Sequence, residues 1–169
     1  MRFLIIFIFL LFNSFAAETA DIKNLIINKE LKKYDSLSFL DAKNNQLNLN
    51  DYNGKLILLN FWATWCEPCK KEMPSLNSLQ INKDLNNLKI FPINVGQDSV
   101  EKSIIFFKDL KIENLNPYFD SPITLAKKFR LRGIPTTILL NKNGEEFARI
   151  IGSIDFNDEN FIKWLSDYN

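Results

Sequence analysis

A central mixed β-sheet flanked by helices is the fold class this chain predicts. The near-continuous apolar run Leu56-Ile57-Leu58-Leu59-Asn60-Phe61-Trp62 suits a central strand buried on both faces, and Leu88 to Val95 suits a second. Segments of helical spacing follow both strands, and such alternation builds parallel pairing through crossovers. Late in the chain, Asn141-Lys142-Asn143-Gly144 is a hairpin turn between two apolar stretches, which adds antiparallel pairing. The 169 residues suffice for one domain with a substantial core, and 46% hydrophobic with 24% charged residues is ordinary for a globular protein.

The elements follow in chain order. Arg2 precedes an apolar run from Phe3 to Phe12, and Asn13-Ser14-Phe15-Ala16-Ala17 supplies a small-residue exit. This is the pattern of a secretory signal over residues 1–16, with Ser14 and Ala16 suiting the −3 and −1 positions of cleavage. The run is short for a span of roughly 20 apolar residues, and its alternative is an uncleaved anchor that tethers the domain to a membrane. Residues 17–34 read as a polar leader or short helix before a domain spanning 35–169. Leu37 to Leu40 and Gln46 to Leu49 alternate around the turn residues Asp41 to Asn45, forming an N-terminal hairpin.

After the strand ending at Trp62, residues 67–84 carry helical spacing, with Met73, Leu76, Leu79 and Leu85 near one side and Pro74 inside as a kink. Leu88 to Val95 is followed by an amphipathic stretch, Ser99 to Leu110, with Ile104, Ile105, Phe107 and Leu110 as its apolar residues. A short strand over 116–119 and a short helix over 123–129 come next. Gly133-Ile134-Pro135 punctuates before a strand over 136–140, the hairpin leads into 146–151, and a final helix covers about 158–168.

Charge excludes some partners. With 21 Lys and Arg against 20 Asp and Glu, the balance is near zero. No basic stripe in the sequence recommends nucleic acid, and no polybasic run recommends anionic lipid.

The chemistry concentrates in Trp65-Cys66-Glu67-Pro68-Cys69, which holds the only two cysteines. Cysteines at this spacing, where a strand gives way to a helix, open and close a disulfide at little geometric cost and so pass two electrons. With no third Cys and no His in the chain, a four-ligand metal site is not expected, and no cofactor is implied. Export exposes the pair to an oxidising compartment, yet so short a loop removes little unfolded-chain entropy and is a poor staple. Redox work is the better reading. Strands of such sheets place reactive groups beyond their C-terminal ends, where Cys66 falls.

Asn60-Phe61-Trp62-Ala63-Thr64-Trp65-Cys66-Glu67-Pro68-Cys69-Lys70-Lys71-Glu72, with Pro74 five residues past the second Cys and Gly133-Ile134-Pro135-Thr136-Thr137 later, resembles the TlpA/ResA branch of the thioredoxin superfamily. This branch holds exported thiol:disulfide oxidoreductases, several of which reduce the haem-binding cysteines of apocytochrome c. The resemblance covers about residues 35–169 and implies a thioredoxin-like fold with an N-terminal β-hairpin and a central strand-helix insert near 97–130. By position it makes Cys66 the exposed nucleophile and Cys69 the buried resolving thiol, with a cis Ile134–Pro135 bond beside them. Asn60 stands where thioredoxin proper has a buried Asp, as is common in this branch, and an amide cannot carry a proton.

Glu72, three residues past Cys69, shares its helix face and is read as a carboxylate that helps deprotonate Cys69; the plain alternative is a surface charge. Cys66 at a helix N-terminus gains stabilisation as a thiolate. Pro68 fits the first turn, where a missing N–H costs nothing. Trp65 reads as an exposed lip of the site and Trp62 as core. Glu67, between the sulfurs, opposes thiolate formation and argues against a strong oxidant; its alternative is a solvated first-turn residue. Ile134 and Pro135 would offer backbone to a bound peptide.

These readings point to an exported reductant in the periplasm or outside the membrane. Its partners would be protein disulfides, among them apocytochrome c, and a membrane thiol-reducing electron donor would recharge it. A general disulfide oxidant or isomerase is the alternative, weakened by the absence of His between the cysteines. A Cu(I)-carrying thiol pair is a third, weakened because copper carriers of similar fold usually add a His.

Overall fold

The computed structural model describes residues 22–169. Its strands are β1 (Leu25–Lys32), β2 (Ser38–Leu40), β3 (Gln46–Asn48), β4 (Leu56–Trp62), β5 (Leu88–Asn94), β6 (Tyr118–Phe119), β7 (Thr136–Leu140) and β8 (Glu146–Ile151), and its helices are α1 (Glu67–Leu79), α2 (Val100–Asp109), α3 (Leu125–Lys128) and α4 (Glu159–Ser166). The strands form a single mixed sheet in the order β1-β8-β7-β4-β5-β6-β2-β3. β4 lies at its centre, parallel to β5 and antiparallel to β7.

β4 is buried along its whole length because both faces are covered. Its side chains alternate, as a period of two requires. Leu56, Leu58 and Trp62 join a core closed by Met73, Leu76 and Leu79 of α1, Phe107 of α2, and Phe161 and Leu165 of α4. Ile57, Leu59 and Phe61 face a second core with Phe39, Phe91, Ile93, Leu125 and Phe129. One face is thus sealed by three long helices. The other relies on the four-residue α3 and on the hairpin segment.

The export segment expected over 1–16 lies outside the described residues. The leader expected over 17–34 needs correction in its described part: Leu25–Lys32 is β1, an edge strand paired antiparallel to β8 with Leu25 opposite Ile150 and Ile27 opposite Ala148. Its polar residues misled because an edge strand keeps much of its surface in water, while pairing with β8 supplies the order that local composition does not.

The hairpin of β2 and β3 forms as expected, and β2 also pairs with β6 of the insert, which joins the hairpin to the sheet through β5. The helix expected over 67–84 stops at Leu79; a separate 3-10 turn over Lys83–Leu85, capped by Asn82, delivers Leu85 to the core. In α2 the exposed residues include Ile104 and Ile105, contrary to expectation. Phe107 and Leu110 turn inward as expected, joined by Ser103 and Phe106 in a set at i, i+3, i+4 and i+7, and the Phe106 and Phe107 rings lie tilted against Trp62 with centroids 4.8 and 5.3 Å away.

Candidate active site

β4 ends at Trp62, and the chain turns through Ala63, Thr64 and Trp65 into α1. Cys66 is the N-cap of α1, and Cys69 sits in its first turn. The two sulfurs are joined, with Cα atoms 5.3 Å apart, and the Cys69 N–H donates to Cys66 Sγ at 3.3 Å. A sulfur held at this point faces the unpaired N–H groups and positive end of the helix, which stabilise a thiolate once the disulfide opens. Cys69 is fully buried. Cys66, expected to be exposed, is itself buried at 5% exposure, because in the bonded pair its sulfur is turned toward Cys69 and packs with the core. Trp65 projects beside it at 67% exposure, and Glu67, Lys70 and Lys71 face solvent.

The turn from Trp62 to Cys66 is braced from β5. Asp98 accepts the Thr64 N–H at 2.9 Å and the Thr64 hydroxyl at 2.7 Å, and it also receives Asn94 Nδ2 and Lys102 Nζ. Burial opposes ionisation of Asp98, but these hydrogen bonds outweigh it and hold the carboxyl well below the usual carboxylate range. Gly96 lets the turn approach: a Cβ there would lie 2.5 Å from Ala63 Cβ and 2.9 Å from Trp65 Nε1. Sequence reading assigned no role to Asp98 or Gly96. Asp98 lies far from the cysteines along the chain, and no motif marks it.

Beneath the cysteines lies a buried polar pair. Glu72 is 3% exposed, on the same inward face of α1 as Cys69, Met73 and Leu76. Asn60, on the β4 face that looks toward α1, donates through Nδ2 to Glu72 Oε1 at 2.8 Å and to Thr137 Oγ1 at 3.0 Å. Asn60 Oδ1 has no hydrogen-bond partner among the described residues. Burial pushes the Glu72 carboxyl up to about 8, against weaker opposition from the Asn60 amide and the Ile154 backbone N–H. The surface-charge alternative for Glu72 therefore fails on position alone.

Opposite β4, Thr136 pairs with Phe61, which sets Pro135 beside the end of β4 and next to the cysteine turn. The Ile134–Pro135 bond is cis, as the resemblance implied; a second cis bond, Ser121–Pro122, was not expected. Ile134 packs against both cores, including the one that contains Cys66 and Cys69.

A cysteine pair capping the helix after a central strand, with a cis-proline loop alongside, is the arrangement of a thioredoxin-like thiol:disulfide oxidoreductase. Comparison with known proteins agrees and is more specific: the chain belongs to the AhpC/TSA family, which it matches over residues 24–145. Among curated relatives it is 36% identical over 120 residues to the thiol-disulfide oxidoreductase ResA of Geobacillus kaustophilus, covering 70% of this chain and 67% of that protein. It is 30% identical to ResA of Bacillus subtilis over 114 residues, covering 68% and 63%. Among solved structures, the secreted thiol-disulfide isomerase of Corynebacterium glutamicum superposes with a TM-score of 0.72 at 23% identity, covering 88% of this chain and 95% of that one. StoA of Bacillus subtilis does so with 0.63 at 24% identity, covering 79% and 96%. At these identities the two structures establish the fold. No helix among the described residues is long and apolar enough to cross a membrane.

Proposed function

We propose that this oxidoreductase acts outside the cytoplasm as a reductant of protein disulfides, with the haem-binding cysteine pair of apocytochrome c as a fitting substrate. The observation that carries the direction is the residue pair between the sulfurs: Glu67 and Pro68, with no His anywhere in the chain. A cation there would hold the Cys66 thiolate and favour the reduced protein, making an oxidant. A carboxylate withdraws that stabilisation, so the reduced pair gives up its electrons more readily. The apolar segment over 3–12 supports export or tethering, and a membrane thiol-reducing donor would restore the dithiol.

The geometry supports the following steps. The Cys66 thiolate attacks one sulfur of the partner disulfide, forming a mixed disulfide and releasing the other partner sulfur as a thiolate. Cys69 loses its proton and attacks Cys66 Sγ, which closes the Cys66–Cys69 bond and expels the second partner sulfur. The partner gains two electrons and leaves as two thiolates, which take their protons from solvent. Glu72, buried on the Cys69 side of α1 with its carboxyl pushed up to about 8, takes up the Cys69 proton in its ionised form, a task Asn60 cannot perform. Among the described residues the Ile134 backbone makes no main-chain hydrogen bond, which leaves it available to pair with a bound peptide.

The reduction potential of the Cys66/Cys69 couple, measured by equilibration with glutathione, tests this reading. We expect a value toward the roughly −270 mV of a general reductant; one near the roughly −120 mV of a strong periplasmic oxidant overturns it.

A further inference from the structure

The weakly covered face of the sheet is open over β1, β8 and β7. A cleft of about 690 Å³ lies there, walled by the Tyr34 segment on one side and by Lys128 to Arg132, from the end of α3 onward, on the other. Its floor carries Thr136, Arg149 and the half-exposed Ile26 and Ile151 (48% and 45%). Register places these on one face, since Ile26 and Ile138 both pair with Arg149, and Thr136 with Ile151. Among the described residues no Asp or Glu lines the cleft, whereas six Lys or Arg residues do.

Three of those cations are already matched. Arg149 donates through Nε and Nη2 to the buried Glu146, each at 2.8 Å, Lys32 lies 3.7 Å from the same carboxylate, and Lys33 pairs with Glu145 at 3.2 Å. The others are not. Lys128 Nζ donates to the main-chain carbonyls of Asp35 and Ser36, which leaves its charge unneutralised, and Arg130 and Arg132 are exposed with no carboxylate partner among the described residues. The run Lys127-Lys128-Phe129-Arg130-Leu131-Arg132 alone has the look of an ordinary solvated stretch. The fold curls it over the floor of a concavity, where an excess of one sign is focused by low-dielectric walls.

The position of the cleft gives that charge a use. Its lining residues flank the cis loop on both sides, with Arg132 three residues before Pro135, within roughly 11 Å along the chain, and Thr136 directly after it. Ile134, whose backbone is free to pair with a bound peptide, is thus flanked along the chain by cleft residues on both sides.

We propose that this cleft is a specificity site for the protein substrate, receiving an acidic segment with an apolar side chain that lies close to the disulfide being exchanged. The carboxylates of such a segment pair with Arg130, Arg132 and Lys128, and its apolar residue covers Ile26 and Ile151. A membrane surface also offers anions, but a bilayer is flat and cannot reach the floor of a concavity. The inference deepens the proposed reduction of protein disulfides and rests on it only for the identity of the segment's owner.

Two measurements test it. The first is independent of electron flow: a cysteine-free peptide with a Glu-Leu-Glu core is titrated into the oxidised protein at low ionic strength, and amide shifts are followed. Perturbation at Thr136 and Ile151 is expected, lost in the Arg130→Gln/Arg132→Gln double variant and weakened by added salt. The second compares rates at which the reduced protein opens disulfide peptides flanked by Glu, Gln or Lys. The Glu-flanked peptide should exceed the Lys-flanked one in kcat/KM by about tenfold, and the double variant should abolish that ratio while reacting normally with the neutral 2-hydroxyethyl disulfide. Absence of peptide binding overturns the site. So does an undiminished ratio in the double variant, or binding by the native protein to phosphatidylglycerol vesicles alone. Failure to react with 2-hydroxyethyl disulfide would instead count against the reductant reading and leave the binding result standing.

Discussion

Glu72 shows how much a single position depends on what surrounds it. A carboxyl one turn past a cysteine is unremarkable in water, yet here burial against α1 and β4 lifts it to about 8. The folded state therefore binds the proton more tightly than the unfolded chain, whose Glu titrates near 4.5. The resulting stability is fully present below about pH 4.5 and is lost as pH rises through about 8. Glu72→Gln removes that dependence. We expect the urea midpoint of the oxidised native protein to fall between pH 5 and pH 9 by more than that of the variant, with the two curves diverging in the alkaline direction. The same variant should slow resolution of the mixed disulfide by on the order of 10²-fold near pH 8, where the Glu72 carboxyl is ionised enough to accept a proton, with the initial attack by Cys66 little changed. Parallel midpoints and equal resolution rates would return Glu72 to a packing role.

At the scale of elements, the cysteine turn is a joint between β4 and α1 that β5 and the segment after it hold in place. Asp98 ties Thr64 at two atoms and is itself fixed by Asn94 and Lys102. Asp98→Asn keeps the size but loses the charge that strengthens those bonds, and we expect a loss of about 1–3 kcal/mol in unfolding free energy. Because the turn carries Cys66, the variant should also shift the titration of the Cys66 thiol, which a purely remote destabilisation would leave alone. Thiol alkylation rates against pH in the folded variant check this. The spacing of Cys66 and Cys69, the β4 run and the Ile134-Pro135 pair were all legible in the sequence, since each is local. Asp98 was not, because its partner Thr64 lies 34 residues away and only the β4–β5 pairing brings them together. The inward face of α2 was read correctly at Phe107 and Leu110 but not at Ile104 and Ile105, for a related reason: these are as apolar as Phe106, and only contact with Trp62 decides that Phe106 turns in.

For the whole molecule, the two faces of the sheet are unequal, and that inequality creates both the redox site and the cleft. The helix-covered face buries Cys69, Glu72 and Asn60, where low polarity can raise a carboxyl. The other leaves β1, β8 and β7 partly open. β1 closes the far edge, so a chain beginning at Lys33 should be less stable than one beginning at Asp21 by about 2–4 kcal/mol, from lost ladder bonds to β8 and the Asn28 bonds to Glu146. It should also self-associate through the newly bared β8 edge. Chemical denaturation and light scattering of the two chains test both effects; equal midpoints would make β1 an ornament of the sheet rather than part of it.

The sequence by itself determined the strand-helix order after residue 37, the central strand and the cysteine pair, because periodicity and short motifs act over a few residues and need no distant partner; the cis bond at Ile134–Pro135 came from the family resemblance. Tertiary structure alone decided that residues 25–32 belong to the sheet, that Glu72 is buried against Asn60, that Asp98 braces the cysteine turn, and that scattered cations line one cleft. Each of those depends on strands far apart in the chain lying side by side, and burial, charge focusing and edge pairing arise only once they do.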